Sequence, residues 1–108
     1  MSRKYTAYPS EYQGARTHYS EMEKGEVATF TVKWGGVLGA LGTTGSSGDW
    51  TTVDTGVIAI ASEALSSGVA TVKVTASEIG TALLSHQITC ADNSVREQKF
   101  AITVVDTY

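Results

Sequence analysis

Alternating apolar and polar positions occupy most of the chain beyond its first quarter. The clearest run covers residues 70–76, where Ala, Val, Val and Ala alternate with Thr, Lys and Thr. The same period of two recurs over 28–34, 82–91 and 96–105. Successive side chains of a β-strand point to opposite faces, so this period predicts half-buried strands. The cluster Asp92-Asn93-Ser94 then predicts a hairpin turn between the last two.

Two shorter runs and one glycine-rich segment complete the pattern. Residues 50–53 and 57–61 predict short strands separated by a turn. Residues 35–49 contain six glycines and predict a long loop or a poorly formed strand. Six or seven short strands without a long helical pattern predict an all-β fold, an immunoglobulin-like antiparallel β-sandwich over residues 26–108. A small barrel is the alternative architecture.

The first 25 residues follow neither a strand period nor a helix period. They nevertheless contain four of the five tyrosines, Tyr5, Tyr8, Tyr12 and Tyr19. Tyrosine offers a large amphipathic contact area and is enriched at protein interfaces. We therefore predict an extended N-terminal arm over residues 1–25 that docks on a neighbouring subunit through these tyrosines. In the alternative, the arm folds back and adds an edge strand to its own domain.

Composition narrows the classes of partner. A chain of 108 residues fits a single domain, and its net charge of −3 includes no basic cluster that would neutralise a phosphate backbone, so we expect no nucleic-acid partner. The sequence contains no run of 18 apolar residues, and we expect no membrane segment. The polar residues after Met1 lack the apolar run of a signal peptide, so we expect no secretion signal.

Candidate chemical groups are few and poorly spaced. His18 and His86 have no second ligand at a metal-binding spacing, and Cys90, the only cysteine, shares a predicted inward face with His86. We therefore expect no metal, no cofactor and no enzymatic activity. Trp34 continues an apolar strand face and is assigned to the core. Trp50 follows the glycine-rich segment and is the better candidate for a contact with a partner.

The C-terminal half carries short motifs that match a known group of proteins. These are WTTV (50–53), GVIAI (56–60), ATVKVTA (70–76), Gly80, QITCADNS (87–94) and REQKFAITVVD (96–106). The stretch from Trp50 to Asp106 resembles small bacteriophage virion proteins with an immunoglobulin-like fold, sometimes described as fibre-tail adaptors. In that family a basic residue follows the turn between the last two strands, as Arg96 does here.

The resemblance implies a structural protein of the virion that contacts other virion proteins, either the major capsid protein or neck and tail subunits. The role would be capsid decoration or a neck-tail adaptor, and a homo-oligomer is compatible with both. The alternative is a carbohydrate-binding or adhesin module that uses the glycine-rich loop at 35–49 and Trp50.

Overall fold

Two four-stranded sheets pack face to face in this protein. The computed structural model describes residues 4–9, 17–42 and 44–106. Within them the elements are β1 (Lys4–Ala7), β2 (His18–Glu23), β3 (Val27–Lys33), α1 (Gly35–Leu41), β4 (Gly45–Thr52), β5 (Ile58–Ser66), β6 (Val69–Ala76), β7 (Gly80–Cys90) and β8 (Val95–Val105). The predicted all-β sandwich is confirmed.

The first sheet has the strand order β1-β3-β6-β5, and the second has the order β2-β8-β7-β4. The pairs within β3-β6-β5 and within β8-β7-β4 are antiparallel. The two N-terminal strands instead pair in parallel, β1 with β3 and β2 with β8. Each N-terminal strand therefore forms one edge of a sheet.

The core lies between the sheets and contains the inward residues of each alternating run. The largest fully buried side chains are Trp34, Phe30, Phe100, Met22, Ile58, Leu84, Ile88 and Ile102. Phe30 and Phe100 meet edge to face, with ring centroids 5.1 Å apart. Burial of these side chains removes apolar surface from water, which is the main force that holds two sheets together.

The N-terminal segment differs from the predicted extended arm. Residues 4–7 and 18–23 are edge strands of the sandwich, as in the alternative in which the arm folds back. The physical reason is that these residues fill the core, since Ala7 and Met22 are buried. The sequence hides this because each short strand contributes only one or two apolar inward residues. Residues 25 and 26 lie in the connection between β2 and β3 and do not divide an arm from a domain.

The glycine-rich segment also differs from the predicted loop. It forms the helix α1 and the first part of β4. Leu38 anchors the helix in the core, and Gly42 ends it in the left-handed conformation, with φ of 68°. In β4, a side chain at Gly45 or Gly48 would lie 2.6 Å from Ile88 or His86 respectively. Glycine at these positions lets the strand approach β7, which is why β4 lacks a clear alternation.

Candidate interaction surface

The structure places the predicted contact residues in different environments. Tyr5 belongs to the edge of the core, where its ring stacks on Phe30 at 4.9 Å between centroids. Its hydroxyl donates a hydrogen bond to the backbone carbonyl of Glu21, which ties β1 to β2 across the two sheets. Tyr5 therefore has a structural role in this chain. Tyr12 lies outside the described residues.

Tyr8 and Tyr19 are both exposed, but on opposite sides of the sandwich. Tyr8 follows β1 and is 71% exposed. The Nζ atom of Lys33 lies 5.6 Å from the centroid of its ring, on the side of the first sheet. Tyr19 lies on β2 and is 80% exposed, on the outer face of the second sheet. The structure does not bring the described tyrosines together into one patch.

Trp50 is not an exposed contact residue, and this prediction was wrong. Its side chain is 4% exposed and packs between the sheets, 4.8 Å from the His86 ring and 6.0 Å from the Phe100 ring. The cause is the strand register, because Trp50 pairs with His86 and shares its inward face. Among the described residues, no acceptor meets the indole Nε1 of Trp50.

The outer face of the second sheet carries a row of apolar residues that crosses its strands. The pairing register aligns Tyr19 on β2 with Ala101 on β8 and Leu83 on β7. Val53 follows β4 between Thr52 and Asp54, and both of those side chains hydrogen-bond the backbone of Leu83. We call Tyr19, Ala101, Leu83 and Val53 the Tyr19 row. Neighbouring strands lie about 4.8 Å apart, so the row spans about 14 Å.

The Tyr19 row is unusually exposed for an apolar group. Val53 is 92% exposed and Leu83 is 40% exposed, in addition to Tyr19. Single exposed apolar residues are common on protein surfaces, but aligned ones form a contiguous patch that is characteristic of binding sites. The row therefore offers an apolar centre on this sheet face, and Val95 at the start of β8 is a further exposed apolar residue on it.

Acidic residues flank the Tyr19 row on both sides. On one side of the row, Glu21 lies on β2 two residues beyond Tyr19. On the other side, Gln87 of β7 has an acidic residue beside it on each neighbouring strand, Asp49 on β4 and Glu97 on β8. The carboxylate of Glu97 accepts a hydrogen bond from the Ser85 hydroxyl, and Lys99 Nζ lies 3.9 Å from its other oxygen. The face therefore combines an apolar centre with an acidic border, which favours a partner with basic residues around an apolar contact.

A buried polar pair supports the second sheet from inside. Trp34 Nε1 donates a hydrogen bond to His86 Nδ1 at 3.0 Å, so the imidazole is neutral, with its proton on Nε2. Burial lowers the pKa of His86 from 6.5 to about 4, although the Asp49 carboxylate acts in the opposite direction. His86 was assigned to the inner face by its position between Leu84 and Ile88, and it is 1% exposed.

One end of the sandwich carries a shallow cleft of about 440 Å³. Its walls are α1, the start of β4 and the turn between β5 and β6, with Leu38 and Leu65 among the lining residues. The described lining residues have no titratable side chain. The cleft can therefore accept an apolar or neutral group but offers no acid or base for catalysis.

Other candidate groups in the described residues do not assemble into a reactive site. No cluster of three or more His, Cys, Asp or Glu side chains could hold a metal ion in this part of the chain. Cys90 is buried and unpaired with another cysteine. No helix among the described residues is long and apolar enough to cross a bilayer.

Sequence reasoning missed Leu83, Ala101 and Val53. Leu83 gave a signal, because it is a large apolar residue at an outward position between the inward Ala82 and Leu84. Ala101 and Val53 gave no signal in the sequence, because their alignment with Tyr19 depends on the order of the strands in the sheet. Only the parallel pairing of β2 with β8 brings Tyr19 onto the same face as Leu83.

Comparison with known proteins supports the fold. No protein-family model matches the chain, and no curated protein matches it. Among solved structures, it is similar to the cysteine protease inhibitor EhICP2 from Entamoeba histolytica, with a TM-score of 0.60 and 6% identity over 96% of this chain and 97% of that one. It is also similar to domains 4 and 5 of the S-layer protein SbsC, with a TM-score of 0.59 and 21% identity over 83% of this chain.

A third similar structure is PbICP-C in complex with falcipain-2, with a TM-score of 0.55 and 8% identity over 94% of this chain and 99% of that one. The chain spans 42% of the SbsC fragment but nearly the whole of EhICP2 and of PbICP-C. At these identities the similarity shows a shared immunoglobulin-like sandwich, and function has to be argued from the surface.

Proposed function

We propose that this chain is a non-enzymatic module that attaches to a larger protein assembly, and that the assembly is a bacteriophage particle. The observation that carries the proposal is the Tyr19 row, an exposed apolar line across a rigid four-stranded sheet. Tyrosine is one of the residues that most often anchor protein interfaces, and apolar neighbours such as Leu83 exclude water around it. The sheet holds them in place, so little conformational entropy is lost on binding.

The identity of the assembly is supported by the sequence resemblance between residues 50–106 and phage virion proteins. The region of resemblance includes β7 and β8, which contribute Leu83 and Ala101 to the Tyr19 row. The row also uses Tyr19 from the N-terminal segment, so the proposed attachment keeps one of the tyrosines of the predicted docking arm. A decoration protein of the capsid and an adaptor of the neck or tail both require such a surface.

The carbohydrate-binding alternative depended mainly on an exposed side chain of Trp50. A sugar ring stacks on an exposed aromatic face, whereas Trp50 is buried between the sheets. The segment at 35–49 forms α1 and part of β4 and contains no other aromatic side chain before Trp50. We therefore do not favour a glycan as the partner.

A second proposal is that the chain binds a cysteine protease. The observation that favours it is the end-to-end similarity to EhICP2 and PbICP-C. Connections between strands also meet in two pairs at one end of the sandwich. The backbone carbonyl of Thr44 accepts a hydrogen bond from the N–H of Ala91, and that of Gly68 accepts one from the N–H of Trp34. Titration of a papain-type protease with the chain tests this proposal. Stoichiometric loss of peptidase activity would support it, and full activity at a large excess of the chain would exclude it.

Attachment through the Tyr19 row is tested by co-sedimentation with particles of the phage whose genome encodes the chain, prepared without it. We expect wild type to sediment with the particles and Tyr19→Ser to lose at least about 10-fold in affinity, as for an interface anchor. The matched control is Tyr8→Ser, which removes another highly exposed tyrosine from the opposite side of the sandwich and should bind like wild type.

Two outcomes would contradict the proposal. If wild type fails to bind the particles, the assembly is not a phage particle. If Tyr8→Ser loses binding and Tyr19→Ser does not, the attachment surface lies on the first sheet. Deletion of residues 1–25 is not a suitable test, because it would remove two edge strands of the sandwich.

A further inference from the structure

The outer face of the first sheet differs in character from the face that carries the Tyr19 row. Threonines dominate its centre, where Thr6, Thr31 and Thr71 align across β1, β3 and β6. The next row contains Lys4, Thr29 and Lys73 in register. Lys33 lies at the end of β3, under the ring of Tyr8. The centre of this face is polar, and its charged residues on β1, β3 and β6 are basic.

The two outer faces carry opposite charge. On β1, β3 and β6 of the first sheet, the charged residues at outward positions are Lys4, Lys33 and Lys73. Glu63 on the edge strand β5 is also exposed, and its carboxylate accepts a hydrogen bond from the backbone N–H of Trp50 on β4. On the second sheet, the corresponding residues are Glu21, Glu23, Asp49, Glu97 and Lys99. The formal charge at these outward positions is therefore +3 on β1, β3 and β6 of the first sheet and −3 on the second sheet. The basic face therefore stands out from the chain as a whole, which has a net charge of −3.

From this segregation we propose that copies of the chain stack on one another, with the first-sheet face of one copy against the second-sheet face of the next. The lysines at Lys4 and Lys73 then meet the acidic border around the Tyr19 row, and the threonines cover the apolar centre. Because two different faces meet, the contact is heterologous, and it continues into a ring or an open stack.

The size of the faces determines how strong this contact can be. Four strands about 4.8 Å apart, with about seven residues each at about 3.3 Å, give roughly 450 Å² on each copy. Stable interfaces commonly bury about 800 Å² on each partner, so the stack should be weak and salt-dependent. Such a contact acts mainly where the local concentration of the chain is high.

The stack does not rest on the proposed attachment, and the two contacts use the same second-sheet face, so one copy makes only one of them through that face. A copy bound to a particle through its second-sheet face still offers its first-sheet face to another copy. The test below uses the purified chain alone, so its failure leaves the attachment proposal unaffected. The failure of particle binding would likewise leave the stack intact.

The experiment is a set of charge reversals followed by sedimentation velocity at high protein concentration. Lys73→Glu alters the first-sheet face, and Glu21→Lys alters the second-sheet face; both side chains are exposed. At low salt we expect the wild-type sedimentation coefficient to rise with concentration, and salt of about 0.5 M to abolish the rise. Each single variant should weaken association by at least about 10-fold.

Two further samples make the test specific for unlike faces. A chain with both substitutions should regain association, and so should an equimolar mixture of the two single variants, because opposite charges again meet. Glu78→Lys, in the turn between β6 and β7, is the control and should associate like wild type. A wild type that stays monomeric at low salt, or a double variant no better than the single variants, would overturn the stack.

Discussion

Two buried tryptophans in this chain differ in the partner of the indole N–H. Trp34 donates to His86, whereas Nε1 of Trp50 has no acceptor among the described residues. An unpaired buried donor carries its desolvation cost without compensation, while a paired one contributes to stability. The same substitution should therefore have different effects at the two positions.

Trp34→Phe should destabilise the protein more than Trp50→Phe does. Both changes remove a similar volume from the core, but only the first leaves the buried Nδ1 of His86 without its donor. We expect a difference of about 1–3 kcal/mol in the free energy of unfolding, measured by urea titration. Equal losses at the two positions would show that the Trp34–His86 hydrogen bond contributes nothing.

The burial of neutral His86 should make stability depend on pH. Its pKa is about 4 in the folded chain and 6.5 ordinarily, so the unfolded chain takes up the proton first as pH falls. The contribution of His86 is complete above pH 6.5 and is lost as pH falls towards 4. Between pH 7 and pH 5 we expect a loss of about 2 kcal/mol in the free energy of unfolding.

The control for this dependence is His86→Gln, which can still accept a hydrogen bond but does not titrate. Its free energy of unfolding should be lower at pH 7 and should change much less between pH 7 and pH 5. If wild type and this variant lose the same amount over that range, other groups are responsible for the acid sensitivity.

At the scale of the elements, β4 shows how a glycine-rich strand is held in a sheet. Glycines at Gly45 and Gly48 allow close approach to β7, and one backbone N–H on the outer edge of β4 is paired from the neighbouring sheet. There the carboxylate of Glu63 accepts a hydrogen bond from the backbone N–H of Trp50 at 3.3 Å. Glu63 lies at an irregularity in β5, where the pairing register shifts between Ala61 and Ala64. A covered edge is protected from pairing with other chains.

Gly48→Ala should destabilise the sandwich because the new methyl group would lie 2.6 Å from Nε2 of His86. The imidazole is held by its hydrogen bond to Trp34 and cannot move away without breaking it. We expect a cost of about 1–3 kcal/mol in a urea titration. Gly56→Ala, in a turn with nothing within 4 Å, is the control and should change stability by less than about 0.5 kcal/mol.

The elements that sequence could predict are those in which side chains alternate. β3, β6 and β8 appear within one residue of their predicted limits, because their inward residues are apolar and their outward residues are polar. The first part of β4 could not be recognised, because its glycines give no apolar-polar alternation. The need for glycine at Gly48 comes from its contact with β7, which only the folded sheet shows. β5 extends beyond its predicted end at residue 61 and continues through Ser62, which has a positive φ of 56° at the irregularity in the strand. The sequence there does not alternate, so this part of the strand could not be predicted. The Tyr19 row could not be predicted either, because it forms only through the pairing of β2 with β8.

At the scale of the whole molecule, the chain is a sandwich with two unlike outer faces. Its N-terminal strands close one side of the core, and the hydroxyl of Tyr5 links them. The immunoglobulin-like fold is shared with protease inhibitors and S-layer domains, so the fold alone does not specify a partner. The partner is instead proposed from the arrangement of Tyr19, Leu83 and the surrounding acids.

The most direct test of this account is hydroxyl-radical footprinting of the chain, free and bound to phage particles. Attachment through the second sheet predicts that Tyr19 and Leu83 lose reactivity on binding, because their exposed side chains become covered. Ile79, in the turn between β6 and β7, is exposed outside the Tyr19 row and serves as the internal reference. Unchanged reactivity of Tyr19 and Leu83 in the bound chain would contradict the account.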